Sequence, residues 1–312
     1  MKRIDPSATI PQGTYIATVG FFDGVHLGHR YLLNLVKNEA VKLGKKSLVI
    51  SFENHPKTIL PTNYVPALLT NNEEKMALLA DFGIDACVLL PFNKQMANLS
   101  AYDFIKQHLV KQMGVHTLFI GYDNRFGKNR QETMADYMVY AQELGLRIIE
   151  ASPFLHKGVH ISSSVIRKLI EKGQMDAAAE LLSYPYQIEG TVVNGQHIGK
   201  RIGFPTANIV RNVTNKILPP HGVYAVEVLL HTTVYGGMLN IGVRPTLSDT
   251  KTTSIEVHIL DFNQTIYNEQ IAVRFIGRMR DEISFTCVDE LIAQLDRDKQ
   301  HAIALLEKNR AV

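Results

Sequence analysis

The sequence predicts two domains in series. The first, over residues 1–183, is an α/β domain on an open parallel sheet; the second, over 184–312, is a closed or nearly closed antiparallel β-barrel with one long terminal helix. Three observations carry that expectation. Strand-like and helical runs alternate through the first half. After Ser183-Tyr184-Pro185-Tyr186, strand runs succeed one another without long helices between them. The 312 residues are enough for two domains that each bury a core.

In the first half, strands are expected at 14–20, 46–52, 85–92, 116–121 and 147–151, and helices at 28–43, 72–82, 101–113 and 131–144. Ser100 is placed to cap the third helix, and Gly44, Gly83, Gly114 and Gly145 stand where helices should stop. This alternation calls for a parallel sheet with helices on both faces, which binds ligands at the carboxyl ends of its strands. Three segments fall at that edge: His26-Leu27-Gly28-His29, Asn54-His55-Pro56 and Gly121-Tyr122-Asp123. A short helix over 174–182 closes this half. In the second half, strands are expected at 187–193, 222–230, 234–241, 254–262 and 271–280, and an amphipathic helix at 288–308.

Composition narrows the class. Hydrophobic content of 46% and charged content of 20% are ordinary for a soluble globular chain. The start, Met1 to Pro6, has no apolar h-region, and no apolar run is long enough to cross a bilayer, so a cytoplasmic protein with no membrane partner is expected. Two cysteines make neither a disulfide framework nor a zinc site, and Cys87, inside an apolar run, reads as a core thiol. The net charge is only +3; residues 1–183 hold 20 basic against 17 acidic side chains, and 184–312 hold 13 of each. No basic stripe is interleaved with aromatics, so no nucleic-acid partner is expected. Oligomeric state is unspecified.

The most informative run is Thr18 to Arg30, TVGFFDGVHLGHR. An apolar strand feeds a Gly-rich turn and then a helix, the order that aims backbone N–H groups and a helix N-terminus at an anion. His26 and His29 are three apart and share a helix face. Gly28 between them removes a Cβ that would hold a phosphate off. Two imidazoles there can donate to oxygens that gain charge during phosphoryl or nucleotidyl transfer. Further on, Asp123 can orient a substrate or metal water, and Arg125, Lys128 and Arg130 can meet phosphates; a solvated loop accounts for them equally well. Ser162-Ser163-Ser164 followed by Arg167 opens a helix with more hydroxyls than one cap needs, and phosphate binding explains the surplus. In the second half, Gly199-Lys200-Arg201-Ile202-Gly203 leads into Phe204-Pro205-Thr206-Ala207-Asn208. Pro205 favours extended backbone, so Thr206 and Asn208 project to one side, where a hydroxyl and an amide oxygen suit Mg²⁺. An irregular turn explains these residues equally well. Glu256 lies opposite Ile255, Val257 and Ile259 on its strand.

The run GFFDGVHLGH resembles the HxGH signature of the nucleotidyltransferase superfamily, and more narrowly the N-terminal half of bacterial bifunctional riboflavin kinase/FAD synthetases. The segment 121–130 is similar to that family's G-x-D/N-F-x-F-G-x-x-R, with Asn124 in place of the usual aromatic, and 161–167 to its ISSTxIR motif. Gly190 to Ile209 is similar to the riboflavin kinase signature ending GxPTAN. Pro220 to Ala225, Asn240-Ile241-Gly242 with Pro245-Thr246, Glu256 to Ile259, Arg280 to Phe285 and the last helix follow in the family's order. The likeness spans nearly the whole chain.

The resemblance implies a Rossmann-like nucleotidyltransferase domain followed by a riboflavin kinase barrel. The barrel would convert riboflavin and ATP to FMN, with Glu256 as general base, Thr206 and Asn208 holding Mg²⁺, and Gly199 and Lys200 over the phosphates. The first domain would join FMN to AMP from a second ATP, giving FAD and pyrophosphate. There His26 and His29 would be catalytic, and Gly20, Phe22, Gly24, Gly28, Asp123, Arg130, Ser163, Ser164 and Arg167 would bind ATP. Asn124 and Phe126, and in the barrel Arg280, would meet flavin. Two alternatives stay open: a paralogue with one silent half, and a regulatory protein that binds flavin without turnover.

Overall fold

The computed structural model describes residues 1–59, 67–122, 124–128, 131–195, 198–244 and 252–310. The chain forms two compact units, Met1–Ser163 and Ser164–Val312.

The first unit contains β1 (Lys2–Ile4), β2 (Tyr15–Val19), α1 (Leu27–Lys42), β3 (Lys46–Phe52), α2 (Asn72–Asp81), β4 (Ala86–Leu90), α3 (Lys94–Ala97), α4 (Ala101–Phe104), β5 (Val115–Gly121), α5 (Met134–Leu144) and β6 (Arg147–Ala151). A small hairpin, β7 (Leu155–His156) and β8 (Val159–His160), follows. The sheet order is β1-β4-β3-β2-β5-β6, and every neighbouring pair is parallel. From β2 the chain winds outward through β3 and β4, then returns to lay β5 on the other side of β2. That reversal opens a crevice at the carboxyl ends of β2 and β5. Every residue of β2 and β4 is buried, as strands covered on both faces require. Tyr15, Ala17 and Val19 face one core, while Ile16 meets Val36 and Ala40 of α1 on the opposite face.

Expected and observed elements differ in instructive places. β1 is three residues long and carries no periodic signal; it forms by pairing with β4. The expected helix at 101–113 is α4 continued by a wider π-helical stretch, Ile105–Gln112. Ala101, Ile105, Leu109 and Met113 are all buried. A spacing of four lies between the α turn of about 3.6 residues and the wider π turn, so joining the two keeps the stripe straight against the sheet. Gly114, at φ +61, has no room for a side chain, because a Cβ would overlap the Pro11 carbonyl.

The second unit begins within α6 (Ser163–Glu171), whose first residue belongs to the first unit, and continues with α7 (Met175–Leu182), β9 (Gln187–Val193), α8 (Ile198–Arg201), β10 (Ala207–Arg211), β11 (Gly222–Leu230), β12 (Thr233–Arg244), β13 (Thr252–Ile259), β14 (Gln270–Arg280) and α9 (Val288–Arg310). Six strands close a barrel in the order β10-β13-β12-β11-β14-β9, all antiparallel. Burial alternates along β9, and along β13 Ile255, Val257 and Ile259 point inward. β10 was expected only as an extended path; its pairing with β9 and β13 makes it a barrel strand. α9 lays Ala302 against Ala225, Met238 and Phe204. Its Asp298, 3% exposed, accepts from Arg280 Nε at 3.0 Å to both oxygens, from Arg280 Nη2 at 2.6 Å and from Gln294 Nε2 at 2.9 Å. That fork is the polar tie between β14 and α9.

Truncating Asp298 leaves a mostly buried guanidinium uncompensated. Asp298→Ala is expected to destabilise the barrel by about 3 kcal/mol, and Arg280→Met with Asp298→Leu by less than half of that. Urea unfolding of the full chain checks this; a loss under about 1 kcal/mol for the single variant contradicts the tie.

Candidate active sites

The turn after β2 is built on unusual backbone. Phe22 (φ 52), Gly24 (φ 81) and Val25 (φ 37) all occupy the left-handed region, which a β-branched residue such as Val25 rarely enters. Asp23, 3% exposed, holds the turn in that shape. Its carboxylate accepts from the Leu69 N–H at 3.0 and 3.1 Å, from the Thr70 N–H at 3.0 Å and from the Thr70 hydroxyl at 3.2 Å. The Gly24 N–H donates to the same hydroxyl at 3.0 Å. Ser163, first residue of α6, donates to the Asp23 carbonyl at 3.1 Å.

His26 caps α1: its Nδ1 accepts from the His29 N–H at 3.3 Å. The proton of a neutral His26 therefore sits on Nε2. The two rings stack with centroids 3.6 Å apart, and Phe22 meets the His29 ring edge-on at 5.1 Å. Stacked imidazoles cannot readily both be cations. Burial pushes His29 well below the ordinary imidazole value of 6.5, and the charges of His26 and Lys75 push it further. His29 Nδ1 is buried and, among the described residues, has no hydrogen-bond partner. Gly28 proves to make room for a ring: a Cβ there would stand 3.3 Å from the His26 imidazole. Phe22, expected in the phosphate set, buries its ring in the core with Val25 and Leu33.

Beside this turn, at the carboxyl ends of β2, β3 and β4 and bordered by residues 124–128, lies a cavity of about 400 Å³. Phe21, Phe52, Phe92 and Phe126 supply aromatic walls, with His55, Arg125 and Lys128 among the polar lining. Asn124 donates to the Val19 carbonyl at 2.6 Å and tethers the loop to the end of β2. The Phe126 N–H is held by the Tyr137 hydroxyl at 2.8 Å. An aromatic slot with cationic edges fits a flat heteroaromatic ring bearing a phosphate. Asp123 and Arg130 lie outside the described residues. Ser164 and Arg167 follow in α6, Arg167 with its side chain mostly buried.

In the barrel, Glu256 on β13 pairs with Asn208 on β10 and with Asn240 on β12. Residues paired across antiparallel strands share a face, so the two amides flank the carboxylate on the outer wall. The Thr206 hydroxyl donates to Glu256 Oε2 at 3.4 Å. Gly195 and Gly199 let the preceding loop approach: a Cβ on the first would overlap the Asn208 amide, and one on the second the Phe204 carbonyl. Lys200 stands exposed on α8. Arg280, expected at the flavin, commits its guanidinium to Asp298.

Two participants escaped sequence reasoning. His258, two residues beyond Glu256, makes a 2.8 Å hydrogen bond to the Pro205 carbonyl and an edge contact with Phe204, holding the approach to Thr206. The period of two from Glu256 was its signal. Lys75 is 1% exposed on α2; its signal was a lysine one turn before the core residue Leu79.

Residues 8–165 match the FAD synthetase family and residues 182–306 the riboflavin kinase family. The bifunctional riboflavin kinase/FMN adenylyltransferase of Escherichia coli (strain K12) is 38% identical over 300 residues, 96% of this chain and 95% of the relative. The chain belongs to the bifunctional riboflavin kinase/FMN adenylyltransferase family. A member from Bacillus subtilis (strain 168) is 35% identical over 94% of this chain and 92% of its own. A crystal structure of a Streptococcus pneumoniae protein named as a macrolide-efflux protein superposes with a TM-score of 0.86 at 32% identity, covering 96% of this chain and 97% of that one. Among the described residues of this family member, no helix is long and apolar enough to cross a membrane.

The depressed His29 has a consequence for stability. Below about pH 6.5 the unfolded imidazole takes up a proton that the folded one refuses, so folding stability falls as pH drops. His116 and His258 are lowered by burial too. His29→Gln is therefore expected to flatten, without abolishing, the loss of melting temperature between pH 7 and pH 5. An unchanged slope contradicts the buried neutral imidazole.

Proposed function

We propose that the two sites perform successive steps of flavin-cofactor synthesis, with domain limits at 1–183 and 184–312. The barrel transfers the ATP γ-phosphoryl to the riboflavin 5′-hydroxyl, giving FMN and ADP. Glu256 takes the hydroxyl proton, for which it needs only reach and an accessible carboxylate. Thr206 and Asn208 offer hard oxygen donors beside Glu256, a pair that fits Mg²⁺. Once bound with ATP, the ion supplies charge neutralisation on the phosphates. Gly199 and Lys200 close over them.

The α/β unit joins FMN to AMP from a second ATP, giving FAD and pyrophosphate. The FMN phosphate is ionised at neutral pH, so its attack on the α-phosphorus needs no general base. His26 and His29 donate to oxygens that gain charge at that phosphorus and on the departing pyrophosphate. Gly20 and Gly24 in the turn, with Ser163, Ser164 and Arg167, hold the nucleotide phosphates, joined by Asp123 and Arg130. Asn124 and Phe126 frame the flavin. The observation that carries this reading is the stacked His26–His29 pair at the start of α1, on the same strand-to-helix turn whose Gly20 and Phe21 line an aromatic, cation-edged cavity.

Removing one positioned donor costs about 10²–10³ in turnover, and removing a general base about 10²–10⁴. His29→Ala is expected to lower FAD formation from supplied FMN by that order and spare FMN formation; Glu256→Ala is expected to do the reverse. Separate assays of the two conversions check both. Equal loss of both activities in either folded variant refutes the two-site assignment.

A further inference from the structure

Lys75 is a charged side chain in a place that ordinarily excludes one. It lies in the first turns of α2, where the helix dipole disfavours a cation, and it is 1% exposed. An ammonium has three N–H donors, and all three are used here: to the Phe21 carbonyl at 3.2 Å, the Ser51 hydroxyl at 3.1 Å and the Phe52 carbonyl at 3.3 Å. Its Nζ also lies 4.3 Å over the Phe21 ring. Among the described residues no carboxylate forms an ion pair with it.

The acceptors show what this tripod joins. Phe21 is the second residue of the anion turn, and Phe52 is the last of β3. Both rings wall the cavity, and Phe21 also meets His55 edge-on at 4.6 Å. Ser51 donates onward to the Phe21 carbonyl at 3.1 Å, which ties the two strand ends to each other. The lysine itself is rigidly presented. Asn71 and Glu74 form a reciprocal capping box at the start of α2, and Asp23 grips the two residues just before it, Leu69 and Thr70. The segment 69–75 thus holds the turn twice, through backbone N–H groups that reach Asp23 and through an ammonium that reaches Phe21 and Phe52. Both carbonyls are thereby engaged by one ammonium.

We infer that Lys75 is a positioning residue for adenylyl transfer, setting the anion turn and the aromatic wall of the flavin cavity in one register. The inference rests on the adenylyltransferase reading of this unit. Burial brings Lys75 down to about 8, with Asp23 on the turn and Cys87 on β4 opposing that shift; His29 on α1 feels the lysine's charge. Above about pH 8 the ammonium becomes an amine with two donors, and one arm of the tripod is lost.

The test uses the full chain, with FMN formation and FAD formation from supplied FMN assayed separately. Lys75→Met fills the volume without the tripod, Lys75→Arg replaces the tripod with a planar fork, and Ser51→Ala removes a single arm. Misplacing groups by about 1 Å can cost up to about 100-fold. Lys75→Met and Lys75→Arg are each expected to lower kcat for FAD formation by roughly 10- to 100-fold, with raised KM for FMN and FMN formation unchanged. Ser51→Ala should shift the same parameters less. The unaltered chain should lose FAD-forming activity on an alkaline limb near pH 8 that Lys75→Met lacks. A lowered melting temperature with kcat, KM and pH profile all unchanged makes Lys75 a strut only and overturns the inference. If Lys75→Met does not fold, a flat alkaline profile in the unaltered chain together with a silent Ser51→Ala overturns it equally. Failure of the unaltered chain to make any FAD overturns the adenylyltransferase reading, and this inference with it.

Discussion

The adenylylating unit depends on one buried carboxylate. Two non-glycine residues of its anion turn, Phe22 and Val25, sit in left-handed backbone that costs roughly 1–3 kcal/mol each. Asp23 offsets this by accepting from two backbone N–H groups and a hydroxyl in a dry environment, at about 1.5–3 kcal/mol for a charged acceptor bond. Everything downstream inherits that geometry. The turn sets where α1 begins, the start of α1 makes His26 its cap, and the cap brings the His26 ring against His29. The strain sits where phosphate chemistry is expected, and the compensating hydrogen bonds point away from it.

The two units meet similar phosphate chemistry by different means. In the parallel sheet, the reversal of strand order leaves a crevice, and α1 begins from the turn that follows β2. The barrel builds its site on strand pairing. Its donors are gathered by antiparallel register instead, which sets Asn208, Glu256 and Asn240 side by side on three adjacent strands. Gly195 then sits close against the Asn208 amide, where a Cβ would overlap it. The Arg280–Asp298 fork, by holding α9 to the end of β14, gives that wall a fixed backing.

Much of this was legible in the sequence, for physical reasons that can be stated. Periodicity and glycine placement revealed the central strands and longer helices because burial on both faces leaves β2 and β4 almost wholly apolar. The histidines and Glu256 were visible because their spacing ties them to a face. What escaped was set by partners distant in the chain. β1 exists only through its pairing with β4, and β10 through β9 and β13. That Gly28 also gives room to the His26 ring could be seen only with the ring in place. The carboxylate that engages Arg280 comes from a helix 18 residues on, beyond the reach of local pattern. Lys75 drew no reading from the sequence, because no local rule announces three acceptors gathered from two strand ends.

The most direct measurement is a chromatographic time course of the unaltered chain with riboflavin, excess ATP and Mg²⁺, resolving riboflavin, FMN and FAD. Two working sites on one chain require FMN to appear first and FAD to follow at its expense. FMN that accumulates without FAD, or riboflavin that stays unconverted while ATP remains, contradicts the account.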